Sequence, residues 1–263
     1  MCGRYILVQK LEKIAKRFEL DIPDEIDYKP SYNIGPGKSA LVITNEDGMR
    51  MEMMRFGMQP FWAKKSMLLI NARAEGNRNQ ENQMHYRGAK DIINKPAFRK
   101  PIRSQRCLII ADAFVEGTTD DGLSKPYLVF LKNKNRPFAF AGIYDEWTDI
   151  KTGQSQRGFA IITTGPNELM TKIPHHRSPV ILKPFQEKHW LNPASPLTDI
   201  TAILSSYESD KMDAFPITPK IKSIHEDSPE LIKPLGGNLN ADAVVNVKDE
   251  FKRQGFGRRN RHF

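Results

Sequence analysis

Cys2 is the position at which chemistry is most concentrated in this sequence. A small residue after Met1 is the usual context for loss of the initiator methionine, so the mature chain is expected to begin with a free cysteine. Such a residue carries an α-amine of pKa about 7.7–8.0 and a thiol near about 8.5 on adjacent carbons, both partly deprotonated near neutral pH. Together they can capture an aldehyde. The amine adds to the carbonyl and loses water to give a Schiff base, and the thiolate then closes on the imine carbon to form a five-membered thiazolidine. An internal cysteine supplies only the thiol, and an incidental Cys2 would supply no chemistry at all. The other cysteine is Cys107, and two are too few for a disulfide scaffold or a cysteine-rich zinc site. Nothing in the sequence requires a metal or other cofactor.

Three polar clusters further along could assemble around that terminus: Asn71-Ala72-Arg73-Ala74-Glu75, Phe114-Val115-Glu116 and His175-His176-Arg177-Ser178-Pro179. Each follows or abuts an expected strand, and strand ends are where a rigid sheet presents side chains to a cleft. A carboxylate and an imidazole are the groups that shuttle protons during imine and ring formation. Taken singly, Glu116 reads equally as a surface acid and each histidine as a structural one.

The elements that must position these groups are mainly strands. Short apolar runs at Cys107 to Ala111, Tyr127 to Leu131, Phe138 to Tyr144, Phe159 to Thr163 and Val180 to Leu182 lie between Gly-, Pro-, Asn- and Asp-rich turns and read as buried strands. Leu41 to Ile43, the turn Asn45-Glu46-Asp47-Gly48 and the alternating Met49, Met51 and Met53 read as a hairpin, with the methionines in the core. Leu11, Ile14, Ala15 and Phe18 follow helical spacing and predict an amphipathic helix over Val8 to Phe18, leaving residues 2–6 extended or looped. A second helix is expected over Leu197 to Tyr207, with Ser195 as its cap and Pro196 in its first turn. The fold class expected is α+β: a mainly antiparallel, barrel-like β core decorated by helices.

The 263 residues are 39% hydrophobic and 27% charged, which excludes collagen-like, low-complexity and wholly disordered chains. Forty Lys and Arg against 31 Asp and Glu give a net charge of +9, which favours a polyanionic partner such as nucleic acid. The apolar runs fall far short of the roughly 20 residues of a membrane span, and the N-terminus lacks a signal-peptide core, so a cytoplasmic protein is expected. One domain is expected over residues 1–235, followed by a basic, flexible tail over 236–263.

Met1-Cys2-Gly3-Arg4-Tyr5, Tyr32-Asn33-Ile34-Gly35-Pro36, Arg55-Phe56-Gly57 through Pro60-Phe61-Trp62-Ala63, Asn71-Ala72-Arg73-Ala74-Glu75, Arg106-Cys107-Leu108-Ile109, Ala141-Gly142-Ile143-Tyr144 and His175 to Leu182 occur in this order. As an ordered set, over roughly residues 2–220, they resemble the SOS-response-associated peptidase (SRAP) family of abasic-site-processing proteins. The resemblance implies that Cys2 forms a thiazolidine with the ring-opened aldehyde of an abasic site in single-stranded DNA, leaving a covalent DNA-protein crosslink. It implies that Asn71 positions the sugar and the amine, that Glu116 relays protons during Schiff-base formation, and that His175 protonates the sugar oxygen. It further implies phosphate contacts for Arg4, Arg73 and Arg177 and a base-stacking surface at Trp62. The family is also credited with autoproteolytic exposure of the cysteine in some members and with strand cleavage by β-elimination.

The chain departs from the family pattern at Val115 and Gly117, which flank Glu116, at Ser178, and at His176 between His175 and Arg177. Its expected partner is abasic single-stranded DNA, with no membrane partner and a monomeric state. Two rival functions remain open at this level. One is an N-terminal-nucleophile amidohydrolase, which would use the Cys2 thiol to form an acyl-enzyme, although its expected Asn-Gly-Asp type motif is not found. The other is a purely reversible single-strand nucleic-acid-binding module.

Overall fold

Short, mostly continuous apolar runs build this molecule from strands, and the computed structural model describes residues 2–65, 67–132 and 136–240. In chain order the first strands are β1 Arg4–Leu7, β2 Ser31–Ile34, β3 Ser39–Asn45, β4 Met49–Phe56, β5 Asn71–Arg73 and β6 Arg106–Ala111. They are followed by β7 Ala113–Thr118, β8 Gly122–Leu131, β9 Phe138–Thr148, β10 Ser155–Thr164, β11 Ser178–Pro179, β12 Ile181–Leu182 and β13 Met212–Pro216. The helices are α1 Leu11–Phe18, α2 Pro101–Ser104, α3 Glu168–Lys172, α4 Pro184–Leu191 and α5 Leu197–Ile203.

One sheet runs β13-β8-β7-β1-β2 and the other β11-β10-β4-β3-β6-β9-β12. Because β9 also pairs with β10, the path β10-β4-β3-β6-β9 returns on itself and closes a five-stranded barrel. Closure leaves these strands without a free edge. The pairing is antiparallel except where β10 meets β4 and β5. This is the expected α+β architecture with a barrel-like core.

The five-stranded sheet has two apolar faces. Tyr5 and Leu7 of β1 and Phe114 of β7 join the main core with the barrel strands. Ile6, Ala113 and Val115 point the other way, into a second cluster with Leu128, Phe130, Phe215, Ile221 and Leu231. In the main core the Tyr5 ring meets Phe56 edge-on at 5.6 Å, and Phe56 stacks on Phe159 at 5.2 Å. Such pairs add about 0.5–1.5 kcal/mol beyond the area they bury. Asp112, between β6 and β7, accepts from the backbone N–H groups of Val8 and Gln9 at 2.7 and 3.1 Å, which fastens the exit of β1 to the centre of the sheet.

Several local expectations shift by a few residues. The hairpin forms with Ile43 opposite Met51 and with Gly48 at φ 105, a left-handed value that glycine accepts without steric cost. The first helix begins at Leu11 rather than Val8, because Val8 and Gln9 are committed to Asp112. The second expected helix ends at Ile203, and Ser195 does not cap it: its hydroxyl donates to the His189 carbonyl at 2.8 Å, while Pro196 occupies the cap position. Strands β2, β5, β7, β11 and β13 and helices α2, α3 and α4 carried no signal that periodicity detected. Hydrogen bonds continue past residue 235, since Leu239 N donates to Ala214 O and Asn240 Nδ2 to Met212 O. The remainder of the expected tail, 241–263, lies outside the described residues. Among the described residues no helix is long and apolar enough to cross a membrane.

Candidate active site

β1 lies between β7 and β2, with Arg4 opposite Val115 and Tyr5 opposite Phe114. That register carries Cys2, just upstream of the strand, alongside the end of β7 where Glu116 and Gly117 stand. Glu116 shares a sheet face with Phe114 and points into the main core, so it is 2% exposed. Cys2 is fully buried, and its thiol lies 3.9 Å from the Arg4 carbonyl. Burial and the neighbouring Glu116 push the thiol well above its ordinary pKa, so it rests neutral.

β5 arrives through its parallel pairing with β10, in which Asn71 faces Ile161 and Arg73 faces Thr163. Ala72 is fully buried, and Asn71 and Arg73 on either side of it in β5 project from the opposite face, with Ala74 and Glu75, both buried, following in the turn. Asn71 Nδ2 donates to the Cys2 carbonyl at 2.9 Å, while Asn71 Oδ1 is buried without a hydrogen-bond partner.

α3 supplies the fourth group. Asn167 caps it by accepting from Met170 N at 3.0 Å, and the chain leaving the helix is held by His175 N donating to Met170 O at 2.8 Å. His175 Nδ1 lies 2.8 Å from the Gly117 carbonyl, which can only accept, so Nδ1 carries the proton and Nε2 presents its lone pair. Nε2 is 3.2 Å from Glu116 Oε2. Burial lowers His175 to about 3 and raises Glu116 to about 7, and both shifts favour the uncharged pair. The contact is therefore a carboxylic acid donating to an imidazole below pH about 7, rather than an ion pair.

The flanking departures have separate explanations. Val115 packs into the second cluster, away from Glu116. A Cβ on Gly117 would lie 1.8 Å from the Gly122 carbonyl, where the β7–β8 register shifts, so a larger residue does not fit this hairpin. Ser178 Oγ accepts from Asn167 N at 3.3 Å, and the His176 Nδ1 sits 3.1 Å from the Thr119 hydroxyl.

The expected DNA-contacting residues fall into three places. Arg73 and Arg177 are brought together: Arg73 Nη2 lies 3.1 Å and Arg177 Nη1 3.3 Å from Asn82 Oδ1. Arg177 is only 2% exposed and also donates to Glu75 at 2.8 Å. Glu75 in turn accepts from Thr164 Oγ1 at 2.7 Å and Gly165 N at 2.9 Å. Arg4 packs over Gly35, with its Nη1 donating to Gly3 O at 2.9 Å and its Nη2 to Lys222 O at 3.3 Å. Trp62 is 46% exposed on the excursion between the Met58–Leu69 bridge, the segment that leads into Asn71. Phe61 beside it is held by its N–H on Asp145 at 2.9 Å and carries the Lys100 ammonium over its ring at 4.7 Å. Glu75 and Asn82 were given no role from sequence. The polar-Ala alternation of residues 71–75 holds the signal for Glu75, whereas nothing local marks Asn82. Among the described residues no group of three or more His, Cys, Asp or Glu side chains could hold a metal ion.

A buried thiol, an amide on its carbonyl and an acid-imidazole pair are groups that can serve as a nucleophile and a proton relay. The family model described as SOS response associated peptidase (SRAP) matches residues 1–224. The abasic site processing protein YoqW of Bacillus subtilis is 39% identical over 241 residues, covering 89% of this chain and 99% of that protein. The abasic site processing protein YedK of Escherichia coli is 24% identical, covering 89% and 100%. A solved structure of a protein from Bacteroides thetaiotaomicron superposes with a TM-score of 0.74 at 26% identity, covering 89% of this chain and all of that one.

Proposed function

The chain belongs to the SOS response associated peptidase (SRAP) family, and on that premise we propose that it processes abasic sites in single-stranded DNA by covalent capture through Cys2 once Met1 is removed. Met1 itself lies outside the described residues. The observation that carries the reading is the convergence of Cys2, Asn71, Glu116 and His175 from four separate parts of the chain.

In the reaction, the Cys2 amine adds its lone pair to the aldehyde carbon of the ring-opened sugar, the carbonyl π pair moves to oxygen, and a proton passes from the nitrogen to that oxygen to give a hydroxyl. Glu116, protonated below about 7, gives its proton to the departing hydroxyl, so that water leaves and the Schiff base forms. The thiol then adds to the imine carbon, its proton passing to the Glu116 carboxylate and the imine nitrogen becoming the ring amine. One water is lost overall. A thiol held neutral by burial favours this order, with amine attack first and sulfur closing the ring. Asn71 fixes the Cys2 carbonyl, and its unpartnered Oδ1 is an acceptor for a sugar hydroxyl or the amine.

Intact-mass measurement before and after incubation with a single-stranded oligonucleotide bearing one abasic site tests the reading. The expected result is a chain lacking Met1 that gains the DNA mass minus water, with no gain on undamaged DNA. Cys2→Ala is expected to abolish the adduct and to retain salt-sensitive binding. Equal crosslinking by that variant overturns the proposal, as does a processed chain with no adduct. In the latter case glutamine hydrolysis separates the amidohydrolase from the reversible binder.

A further inference from the structure

The two arginines that β5 and the His175 segment bring together converge on an acceptor supplied by the protein itself. Asn82 Oδ1 accepts from Arg73 Nη2 at 3.1 Å and from Arg177 Nη1 at 3.3 Å, while its Nδ2 makes a long contact of 3.4 Å with Gln80 O. Its backbone is held at φ 53, a left-handed conformation that asparagine tolerates better than most residues. The neighbouring backbone is anchored independently, because Asn79, 3% exposed, accepts from Gln83 N at 2.8 Å and donates to Gln83 O at 3.2 Å. Arg73 Nη2 also donates to Asn79 O at 2.5 Å and Arg177 Nη2 to Glu75 at 2.8 Å, so both guanidinium groups stay in place when the partly exposed Asn82 side chain turns away.

Charge and donor count both indicate that a carboxamide undersupplies this position. Glu75 neutralises one of the two guanidinium charges, and the remaining positive charge, on Arg73, meets only neutral acceptors, the Asn79 carbonyl at 2.5 Å and the Asn82 amide at 3.1 Å. Arg73 Nε and Arg177 Nε are both buried without hydrogen-bond partners. A phosphate brings a full negative charge and several acceptor oxygens, which suits planar guanidinium forks.

We infer that Asn82 is a tuning residue for the phosphate position that the resemblance already assigns to Arg73 and Arg177: its carboxamide oxygen occupies that position in the free protein, and a DNA phosphate oxygen replaces it when a strand binds. This rests on the reading that the chain binds single-stranded DNA, and it adds a residue that sets how tightly the backbone is held. Glu75 holds Arg177 at 2.8 Å while Thr164 Oγ1 and Gly165 N fix its other carboxylate oxygen. Asn82 satisfies the two cations in the free protein at the cost of competing with the ligand.

The test is fluorescence anisotropy of the full chain with an undamaged single-stranded oligonucleotide, which has no aldehyde and so reads backbone binding apart from any crosslink. Asn82→Gly suits the left-handed backbone and removes the competing oxygen, and is expected to tighten binding about two- to tenfold. Asn82→Asp keeps the shape, places a carboxylate between the arginines, and is expected to weaken binding about tenfold or more. Arg73→Ala is the reference for loss of the phosphate position. If Arg73→Ala weakens binding while Asn82→Gly binds equally or less tightly, the inference is overturned and DNA binding stands. Should the glycine variant fail to fold, Asn82→Asp decides: binding as tight as that of the parent chain overturns the inference. If the variants follow the expected order but abasic DNA gives no adduct, the capture reading fails and the tuning role of Asn82 survives.

Discussion

Glu116 holds a proton near neutrality because burial disfavours its carboxylate, and its neighbour His175 is kept neutral by the same burial. Capture requires the acid form of Glu116 together with a neutral α-amine. The first is lost as pH rises through about 7, and the second is lost as pH falls through about 7.7–8.0. The single-turnover rate is therefore expected to be bell-shaped, with its maximum between about 7 and about 8. His175, lowered to about 3, stays neutral over this range and contributes no limb. Glu116→Gln keeps a donor for His175 Nε2 but has no proton to release. Its rate is expected to fall about a hundredfold or more, and the alkaline limb is expected to vanish. A variant profile that keeps that limb would assign it to another group. Crosslinking rates measured across pH for both proteins make the comparison.

The β7–β8 hairpin shows how an element sets a residue. Gly117 leaves room for the Gly122 carbonyl and offers its own carbonyl to His175 Nδ1. Gly117→Ala is expected to cost roughly 1–3 kcal/mol of stability through backbone overpacking, and to slow capture further by displacing His175. Thermal unfolding and crosslinking rate on the same preparation check both effects; unchanged stability with full activity would mean that the hairpin relaxes freely. The barrel strands were legible because their apolar runs are continuous and flanked by turn residues, as in Cys107 to Ala111. The strand that carries Glu116 was not, since Phe114, Val115 and Glu116 are all buried and show no polar alternation. Cys2, Asn71, Glu116 and His175 were each found from residue type and family resemblance, but their meeting depends on pairings between distant segments, such as Asn71 with Ile161, that periodicity does not encode. Asn82 stayed hidden for the same reason: its partners lie 9 and 95 residues away.

For the molecule as a whole, a net charge of +9 favours a polyanion, while exposed Phe61 and Trp62 offer faces for unstacked bases. These contributions separate in a salt titration. Arg73→Ala is expected to lower the slope of log affinity against log salt by about 0.7, as loss of one phosphate contact on a single strand should. Trp62→Ala is expected to cost about 1–3 kcal/mol at every salt concentration and to leave the slope unchanged. Anisotropy titrations on undamaged single-stranded DNA distinguish the two, and a slope change in the Trp62 variant would contradict a stacking role. The place of β1 between β2 and β7 also sets a schedule for biosynthesis. β7 ends at Thr118, and a ribosome adding about 5–20 residues per second delivers it on the order of ten seconds after Cys2 has been made. During that interval β1 can pair only with β2, and Cys2 lacks the β7 neighbour that buries it. Once β7 pairs with β1, Cys2 is buried, so the capture proposed above implies that the amine matures while the chain is still being made.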